Sequence, residues 1–131
     1  MDPIRNDKTL QLLQAALDVS AKRHAAISSN LANIDTPGYK ARDIDFNAVM
    51  AEISEGLEQT PVERAERERE AATDWVHADE VPNLVEKFDG NNVDLDREMA
   101  NMAANSGQYR LANQLLQMRM RLIHEQLRSN V

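Results

Sequence analysis

The sequence contains no cysteine, and only 4% of its 131 residues are aromatic. The absence of cysteine excludes disulfide bonds, thiolate catalysis and zinc sites built on cysteine. Two Phe, two Tyr and one Trp are too few for a large aromatic core. Leu, Ile, Met and Ala must therefore supply the packing, and such residues favour helices.

Long apolar runs are also missing. No run approaches the roughly 20 residues of a membrane-spanning helix. The first eight residues, Met1 to Lys8, lack the apolar core of a cleavable signal peptide. We therefore expect neither a membrane span nor standard secretion.

Acidic side chains are scarce at the two ends of the chain and abundant in the middle. Residues 1–42 contain six basic and four acidic side chains, and residues 99–131 contain four basic and one acidic. Residues 43–98 contain five basic and seventeen acidic side chains, so the middle accounts for the net charge of −7. A chain of this kind is a poor candidate for binding a nucleic-acid backbone.

The N-terminal segment, residues 1–34, is predicted to form a helix from about Thr9 to Asn33. Residues three and four apart form a heptad pattern with two polar interruptions. The pattern consists of Leu10, Leu13, Leu17, Ser20, His24, Ile27, Leu31 and Ile34. It predicts an amphipathic helix that packs against a second helix.

The C-terminal segment, residues 93–131, is predicted to form a longer helix from about Leu95 to Arg128, with Asp94 as N-cap. Its heptad pattern consists of Leu95, Met99, Met102, Ser106, Tyr109, Asn113, Leu116, Met120, Ile123 and Leu127. Four more apolar side chains lie beside this pattern: Leu111, Leu115, Met118 and Leu122. Such excess apolar surface on a long helix indicates contacts with further partners.

The middle segment, residues 35–92, opens with a turn at Thr36-Pro37-Gly38-Tyr39, whose residue types are those of a type II turn. Residues 41–46 alternate weakly and are predicted to be extended, and residues 46–57 have helical spacing. Residues 58–80 are nearly all charged or small and are interpreted as a solvated helix or a mobile loop. We predict an all-α, elongated fold in which the long terminal helices pair as a coiled-coil-like core domain around an irregular or partly extended middle. The alternative is a three-helix bundle closed by the middle segment.

No pattern typical of an enzyme is present. The sequence has no metalloprotease, phosphate-loop or nucleophile-elbow motif. Asp43 with Asp45, and Asp94 with Asp96, could serve as metal carboxylates, but residues 89–94 are better explained as a turn and helix cap than as a calcium loop. His24, on the heptad pattern, is interpreted as a packed polar residue. We predict no catalytic, cofactor-binding or metal-binding residue.

The end of the first predicted helix carries the most specific motif of the chain. Asn30 and Asn33 stand where the last helical carbonyls lack donors, and their amides can bond those carbonyls or brace the turn. Pro37 stops the helix, Gly38 permits the reversal and Tyr39 supplies a ring and a hydroxyl. The motif predicts a rigid corner from helix into extended chain.

The run Asn30-Leu31-Ala32-Asn33-Ile34-Asp35-Thr36-Pro37-Gly38-Tyr39-Lys40 resembles the signature of the bacterial flagellar axial proteins, the rod, hook and hook-associated group. Residues 41–46, 93–99 and 105–109 are similar to the proximal rod members of that family. The resemblance covers residues 8–46 and 90–129. The signature turn residues are Asn30, Asn33, Thr36, Pro37, Gly38 and Tyr39.

The resemblance implies a structural subunit of the proximal rod of the flagellar basal body, exported to the periplasmic rod without a cleaved signal peptide. Implied partners are copies of itself, FlgC and distal rod subunits, the adaptor FliE and the flagellar type III export gate, with no nucleic acid, small-molecule substrate or cofactor. An FlgC-like subunit and a cytoplasmic coiled-coil adaptor are the alternatives. The residues expected to pack between subunits are Leu10, Leu13, Leu17, Ile27, Leu31, Met99, Met102, Tyr109, Leu116, Met120, Ile123 and Leu127.

Overall fold

The protein is described by a computed structural model that covers residues 7–58 and 76–129. These residues form three helices, α1 (Lys8–Ala32), α2 (Phe46–Glu58) and α3 (Leu95–Ser129), and two short strands, β1 (Arg42–Asp43) and β2 (Asp79–Glu80). Helices α1 and α3 pack along each other, which confirms the predicted fold class. Most of the charged stretch predicted to be solvated, and the first six residues, lie outside the described part of the chain.

Short polar side chains set the N-terminal ends of the two long helices. The Asp7 carboxylate accepts a hydrogen bond from the Leu10 N–H at 3.1 Å, which caps α1. The Asp94 carboxylate accepts from the Arg97 N–H at 2.8 Å, which confirms the predicted cap of α3. Each cap satisfies a backbone donor that has no partner within its helix.

Helices α1 and α3 are antiparallel. Asn30 near the end of α1 bonds Glu98 near the start of α3, at 2.9 Å. Arg119, late in α3, bonds Asp7 just before α1, at 2.7 Å. Contacts at both ends therefore hold the helices in one register.

Helix α2 and the two-stranded sheet cover one side of α1. Asp45 caps α2 by accepting from the Ala48 N–H at 3.0 Å. The helix packs against α1, but none of its residues is buried. Strands β1 and β2 pair antiparallel, with Arg42 opposite Glu80. In the described residues, the middle segment therefore does not close a three-helix bundle.

The buried residues of the described chain are unusually polar for so small a protein. The apolar ones are Leu10, Ala16, Val19, Ile27, Ala41, Ile44, Val93, Ala112 and Ile123. The polar ones are Ser20, Asn30, Asn91, Asn92, Glu98 and Asn105. Buried polar groups are costly unless they are hydrogen-bonded, so their partners determine how this core is built.

Candidate assembly surface

The turn after α1 has the geometry that its residues predict. The Tyr39 N–H donates to the Thr36 carbonyl at 3.2 Å. Gly38 has φ of +73°, and Pro37 precedes it, which confirms a type II turn. A Cβ at Gly38 would meet nothing within 4 Å, so glycine is needed here for its backbone conformation and not for space.

Asn33 links the end of α1 to this turn. Its Nδ2 donates to the Ser29 carbonyl at 2.8 Å, and its Oδ1 accepts from the Thr36 hydroxyl at 3.1 Å. The Tyr39 hydroxyl lies 3.1 Å from the Ser29 hydroxyl. The predicted role of the signature asparagines, which is to bond the last carbonyls and brace the turn, is confirmed for Asn33.

Asn30 has a wider role, because its fully buried amide takes the place of a third strand. Its Oδ1 accepts from the Arg42 N–H at 2.9 Å, and its Nδ2 donates to the Arg42 carbonyl at 2.7 Å. On the other side of β1, the Ala41 carbonyl accepts from the Val81 N–H at 2.9 Å. Both edges of this short strand are therefore satisfied, one by β2 and one by a side chain.

Glu98 joins the first turn of α3 to the same amide. Its carboxylate is only 1% exposed and accepts from Asn30 Nδ2 at 2.9 Å. Asn30 thus uses both amide hydrogens, one on β1 and one on α3. One side chain ties together α1, β1 and α3.

A second set of amides closes the corner from the other side. Asn91 is fully buried, and its Nδ2 donates to the carbonyls of Asn33 and Thr36 at 2.9 and 2.8 Å. Asn92 Oδ1 accepts from the Ala41 N–H at 2.7 Å. The residues just before α3 therefore satisfy backbone groups of the turn just after α1.

Further bonds fasten the loop before Asn91 to the corner. The Gly38 N–H donates to the Asp89 carbonyl at 2.9 Å, and Lys40 Nζ donates to the Gly90 carbonyl at 2.8 Å. Lys87 Nζ donates to the Ile34 carbonyl at 3.1 Å. These side-chain and backbone bonds support the prediction that the corner is rigid.

Arg23 and Asp43 form a two-point ion pair beside the corner. Arg23 Nε and Nη2 each donate to one Asp43 carboxylate oxygen at 2.8 Å. The hydrogen bond to Asp43 raises the pKa of Arg23, and the charge of Glu98 adds to the effect. Such a paired geometry fixes the orientation of β1 on α1.

Polar and small side chains line the α1–α3 contact in the middle of the helices. Asn105 Nδ2 donates to the Ser20 carbonyl at 2.8 Å. The Ser20 hydroxyl and Asn105 Oδ1 are buried without a hydrogen-bond partner in the described chain. This contact therefore stabilises the pair less than an apolar contact of the same length would.

Two groups of apolar side chains on α3 are exposed, each 42–58%. The first apolar flank consists of Leu95, Met99, Tyr109, Met120 and Leu127. The second apolar flank consists of Leu111, Leu115, Met118 and Leu122. At 3.6 residues per turn, the first flank lies roughly 60° to one side of the buried face and the second roughly 100° to the other.

Within residues 7–58 and 76–129, no group of three or more His, Asp or Glu side chains could hold a metal ion. Of the four candidate carboxylates, Asp43 is bonded to Arg23, Asp45 caps α2 and Asp94 caps α3, so these three have structural partners. No helix of this part of the chain is both long and apolar enough to cross a membrane.

Comparison with known proteins identifies the family. The family model described as "Flagella basal body rod protein" matches residues 8–40, which span α1 and the type II turn. The chain is 37% identical over 112 residues to the flagellar basal body rod protein FlgB of Yersinia enterocolitica, across 79% of this chain and 81% of the relative. It is 35% identical over 117 residues to FlgB of Escherichia coli (strain K12), across 81% and 83%. FlgB of Bacillus subtilis (strain 168) is 33% identical over 107 residues, across 77% and 78%.

The chain belongs to the FlgB family. It is a structural subunit of the flagellar basal body rod, and the family is not one of enzymes. These relatives do not support the FlgC-like and adaptor alternatives. In this FlgB-family chain, the matched residues 8–40 end at the corner that Asn30, Asn33 and Asn91 hold together.

The predicted packing residues of α1 mostly face the rest of this chain. Leu10 and Ile27 are buried, and Leu13, Leu17 and Leu31 are half-buried. The interpretation of His24 as a packed residue is wrong, because its side chain is exposed. The face of α1 that packs within the chain does not include His24. The neighbouring Arg23 makes the contact with β1, through its bond to Asp43.

The heptad pattern of α3 does not coincide with the face that α3 buries in this chain, which lies one residue earlier along most of the helix. Glu98, Asn105 and Ala112 are buried, whereas Met99 and Tyr109 are exposed. Among the predicted packing residues, Ile123 is buried, Met102 and Leu116 are half-buried, and Met120 and Leu127 are exposed. The heptad pattern followed the apolar side chains, but the intrachain contact uses polar and small ones. That the predicted packing residues of α1 and α3 pack between subunits stays a prediction.

Sequence reasoning placed Asn91 and Asn92 in a turn before the cap of α3 and Glu98 in its first turn, but it did not predict that these side chains bond the corner. A signal for Glu98 was its heptad spacing with Asn105 and Ala112, which only a search for a polar pattern would have found. The signal for Asn91 and Asn92 was two adjacent amides directly before a helix cap. Their partners lie more than 50 positions away in the chain, so no local pattern could identify them.

Proposed function

We propose that this chain is a subunit of the proximal rod, and that its copies polymerise through their terminal helices into a hollow shaft that transmits torque. The observation that carries the proposal is the exposure of two apolar flanks on α3, on both sides of the buried face. Apolar side chains that cluster on an exposed surface, as those of the second flank do within about three turns of helix, mark a site of interaction. A subunit with neighbours on both sides would cover both flanks.

The polar contact between α1 and α3 supports this proposal. Ser20 and Asn105 contribute buried polar atoms without partners, and burial of Ala112 removes little apolar area from water. Two helices joined in this way gain stability when further helices cover their apolar flanks. The large apolar side chains that α3 exposes are therefore available for contacts with further helices.

The corner supports the mechanical part of the proposal. Asn30 and Asn91 connect α1, β1 and the start of α3 through buried hydrogen bonds. A shaft that transmits torque needs subunits whose parts do not rotate against one another. Buried networks with their polar groups satisfied provide that rigidity.

The proposed partners are copies of the chain, FlgC and distal rod subunits, the adaptor FliE and the flagellar type III export gate. The proposed location is the periplasmic rod, reached without a cleaved signal peptide. We propose no catalytic activity, cofactor, nucleic acid or small-molecule substrate. Membership of the FlgB family supports these points, since the named relatives are basal body rod proteins.

A pair of substitutions on exposed positions of α3 tests the proposal. Met120 belongs to the first apolar flank, whereas Gln114 is an exposed polar residue outside both flanks. In Met120→Asp cells we expect at least about tenfold fewer complete basal bodies. A carboxylate in an apolar contact costs several kcal/mol, and each ~1.4 kcal/mol lowers the association constant of that contact by a factor of ten. Gln114→Asp cells should resemble the wild type.

The measurement is a count of basal bodies by electron microscopy, with immunodetection of the chain in the purified bodies and circular dichroism of each purified variant. Unchanged helix content in Met120→Asp would show that the loss concerns assembly. Equal counts for the two variants would contradict polymerisation through the helices. Absence of the wild-type chain from purified basal bodies, with the chain in the cytoplasm, would contradict the rod location itself.

A further inference from the structure

The loop from β2 to the corner, residues 81–90, exposes two apolar side chains. Val85 is 91% exposed and Phe88 is fully exposed, although the sequence has only two Phe. Single exposed apolar residues are common. Two within four positions form an exposed apolar pair, and aromatic residues such as Phe are enriched in protein interfaces.

The backbone that carries these side chains is held in place. The Lys87 N–H donates to the Asn91 carbonyl at 2.7 Å, and the Gly90 N–H donates to the Lys87 carbonyl at 2.9 Å. Lys87 and Asp89 also bond the corner at Ile34 and Gly38. Phe88 is therefore presented by a preorganised loop, which lowers the entropy that binding would cost.

A surface that fits this loop lies on the C-terminal half of α3. The second apolar flank, Leu111, Leu115, Met118 and Leu122, is exposed. The charged residues of this half of α3 are mostly basic: Arg110, Arg121 and Arg128 are exposed on the neighbouring face, and Glu125 is the one exposed acidic residue beside the flank. The residues around the loop carry a negative balance: Asp79, Glu80, Glu86 and Asp89 are exposed, against Lys87 and against Lys40, which pairs with Glu86. Apolar side chains can meet while the surrounding charges attract, which favours one orientation of the contact.

The loop cannot reach the second apolar flank of its own chain. Asn91 and Asn92 fix the loop beside the first turn of α3, which begins at Leu95. Leu115 lies roughly 30 Å further along the helix, at 1.5 Å per residue. The two complementary surfaces therefore lie near opposite ends of one elongated molecule.

We propose that the loop of one copy, through Val85 and Phe88, docks on the second apolar flank of the next copy. The inference rests on the proposed function, since it names a contact between copies in the rod. The two surfaces differ, so the contact is heterologous and leaves one surface of each kind free on every pair. Such a contact propagates from copy to copy and gives the assembly a direction.

Because the sequence has no cysteine, engineered disulfides can test the contact without background. A disulfide forms only when two Cα atoms come within about 7 Å. The test is mild oxidation of purified basal bodies that contain the doubly substituted chain Phe88→Cys/Met118→Cys, followed by non-reducing electrophoresis. We expect a ladder of cross-linked chains, because every copy would be linked to two others.

The matched control is Phe88→Cys/Gln117→Cys. Gln117 is adjacent to Met118 and exposed, but faces roughly 100° away around α3. This variant should remain monomeric on the gel. A second pair, Val85→Cys/Leu122→Cys, keeps Phe88 and should also give a ladder, so that failure of the first pair to assemble does not end the test.

Three outcomes would overturn the inference. The first is equal cross-linking of the Met118 and Gln117 pairs. The second is a product that stops at the dimer or joins the chain to another protein. The third is the absence of cross-links for both loop pairs while the chain is present in basal bodies at its usual amount. In the third case the proposed function stands, whereas absence of the unsubstituted chain from basal bodies would contradict the proposed function instead.

Discussion

The corner and the C-terminal half of α3 bury opposite kinds of side chain. At the corner, the buried groups are amides and a carboxylate, and Asn30, Asn91 and Asn92 each bond backbone or side-chain groups at 2.7–2.9 Å. On the C-terminal half of α3, the largest apolar side chains are exposed, and Ile123 is one of the few that the chain itself buries.

This difference distinguishes the residues that stabilise the fold of the single chain from the residues that are available for contacts with neighbouring subunits. A region whose polar groups are satisfied internally has few groups left for binding. A helix that exposes Leu, Met and Tyr side chains on two flanks has not yet removed its apolar area from water. In this chain the polar residues therefore fix the geometry, and the apolar residues are the ones free to make assembly contacts.

Loss of the Asn30 amide should have the largest effect on the corner. In Asn30→Ala, Arg42 loses both backbone partners and the Glu98 carboxylate loses its bond. We expect the free energy of unfolding to fall by about 3–6 kcal/mol, since each buried polar group left unpaired costs about 1–3 kcal/mol. Urea denaturation followed by circular dichroism measures it. Asn47→Ala, at an exposed site on α2, should change it by less than about 0.5 kcal/mol.

A carboxylate on α3 should distinguish the buried face from the flanks. Ile123 is 6% exposed and Met120 is 44% exposed. Ile123→Asp should lower the free energy of unfolding by about 3–5 kcal/mol, through lost apolar burial and a carboxylate in its place. Met120→Asp should lower it by less than about 1 kcal/mol. If thermal melts show equal losses for both, the assignment of the buried face is incorrect.

Two glycines should respond in opposite directions. Gly38→Val should cost about 1–3 kcal/mol, because φ of +73° is strained for a β-branched residue. Gly38→Asn should cost less, since asparagine tolerates this conformation better. Gly107→Ala, inside α3 with open space around it, should stabilise the free chain by up to about 1 kcal/mol. Thermal melting of the three variants tests this, and a destabilising Gly107→Ala would reveal a contact of α3 that the single chain does not show.

The smallest expected effect concerns Asp7, at the end of the molecule opposite the corner. The hydrogen bond from Arg119 lowers the pKa of Asp7 below its ordinary value of 3.8. The ion pair's stabilisation is therefore complete above that value and is lost as the pH falls through the lower pKa of the folded state. Asp7→Asn keeps a capping side chain but removes the charge.

Between about pH 6 and about pH 3, we expect the free energy of unfolding to fall slightly more for the wild type than for Asp7→Asn. The difference should be less than about 1 kcal/mol, because Arg119 is 41% exposed and the ion pair is therefore screened by solvent. Parallel urea titrations at several pH values measure the difference. Asp96→Asn, at an exposed position in the first turn of α3, is the control for general loss of negative charge. A larger loss in Asp7→Asn than in the wild type would contradict the direction of the pKa shift.

Local chemistry in the sequence was sufficient to predict the helices and the turn. Apolar spacing predicted α1, α2 and α3 to within about one residue at most ends, and Asp94 was identified as the cap of α3. Pro37 and Gly38 specified the type II turn, because one presets the backbone and the other tolerates positive φ. The signature around Asn30 and Tyr39 was sufficient to indicate the family that the comparisons identify.

Only the tertiary structure decided which face of α3 meets α1. Periodicity identifies an apolar face, but it cannot tell contact within the chain from surface left for neighbours, since both bury the same side chains in the assembled state. Here the chain places Glu98, Asn105 and Ala112 inside and leaves Met99 and Tyr109 outside. The roles of Asn91 and Glu98 likewise depend on partners that are distant in sequence, and such partners become neighbours only after the helices pair.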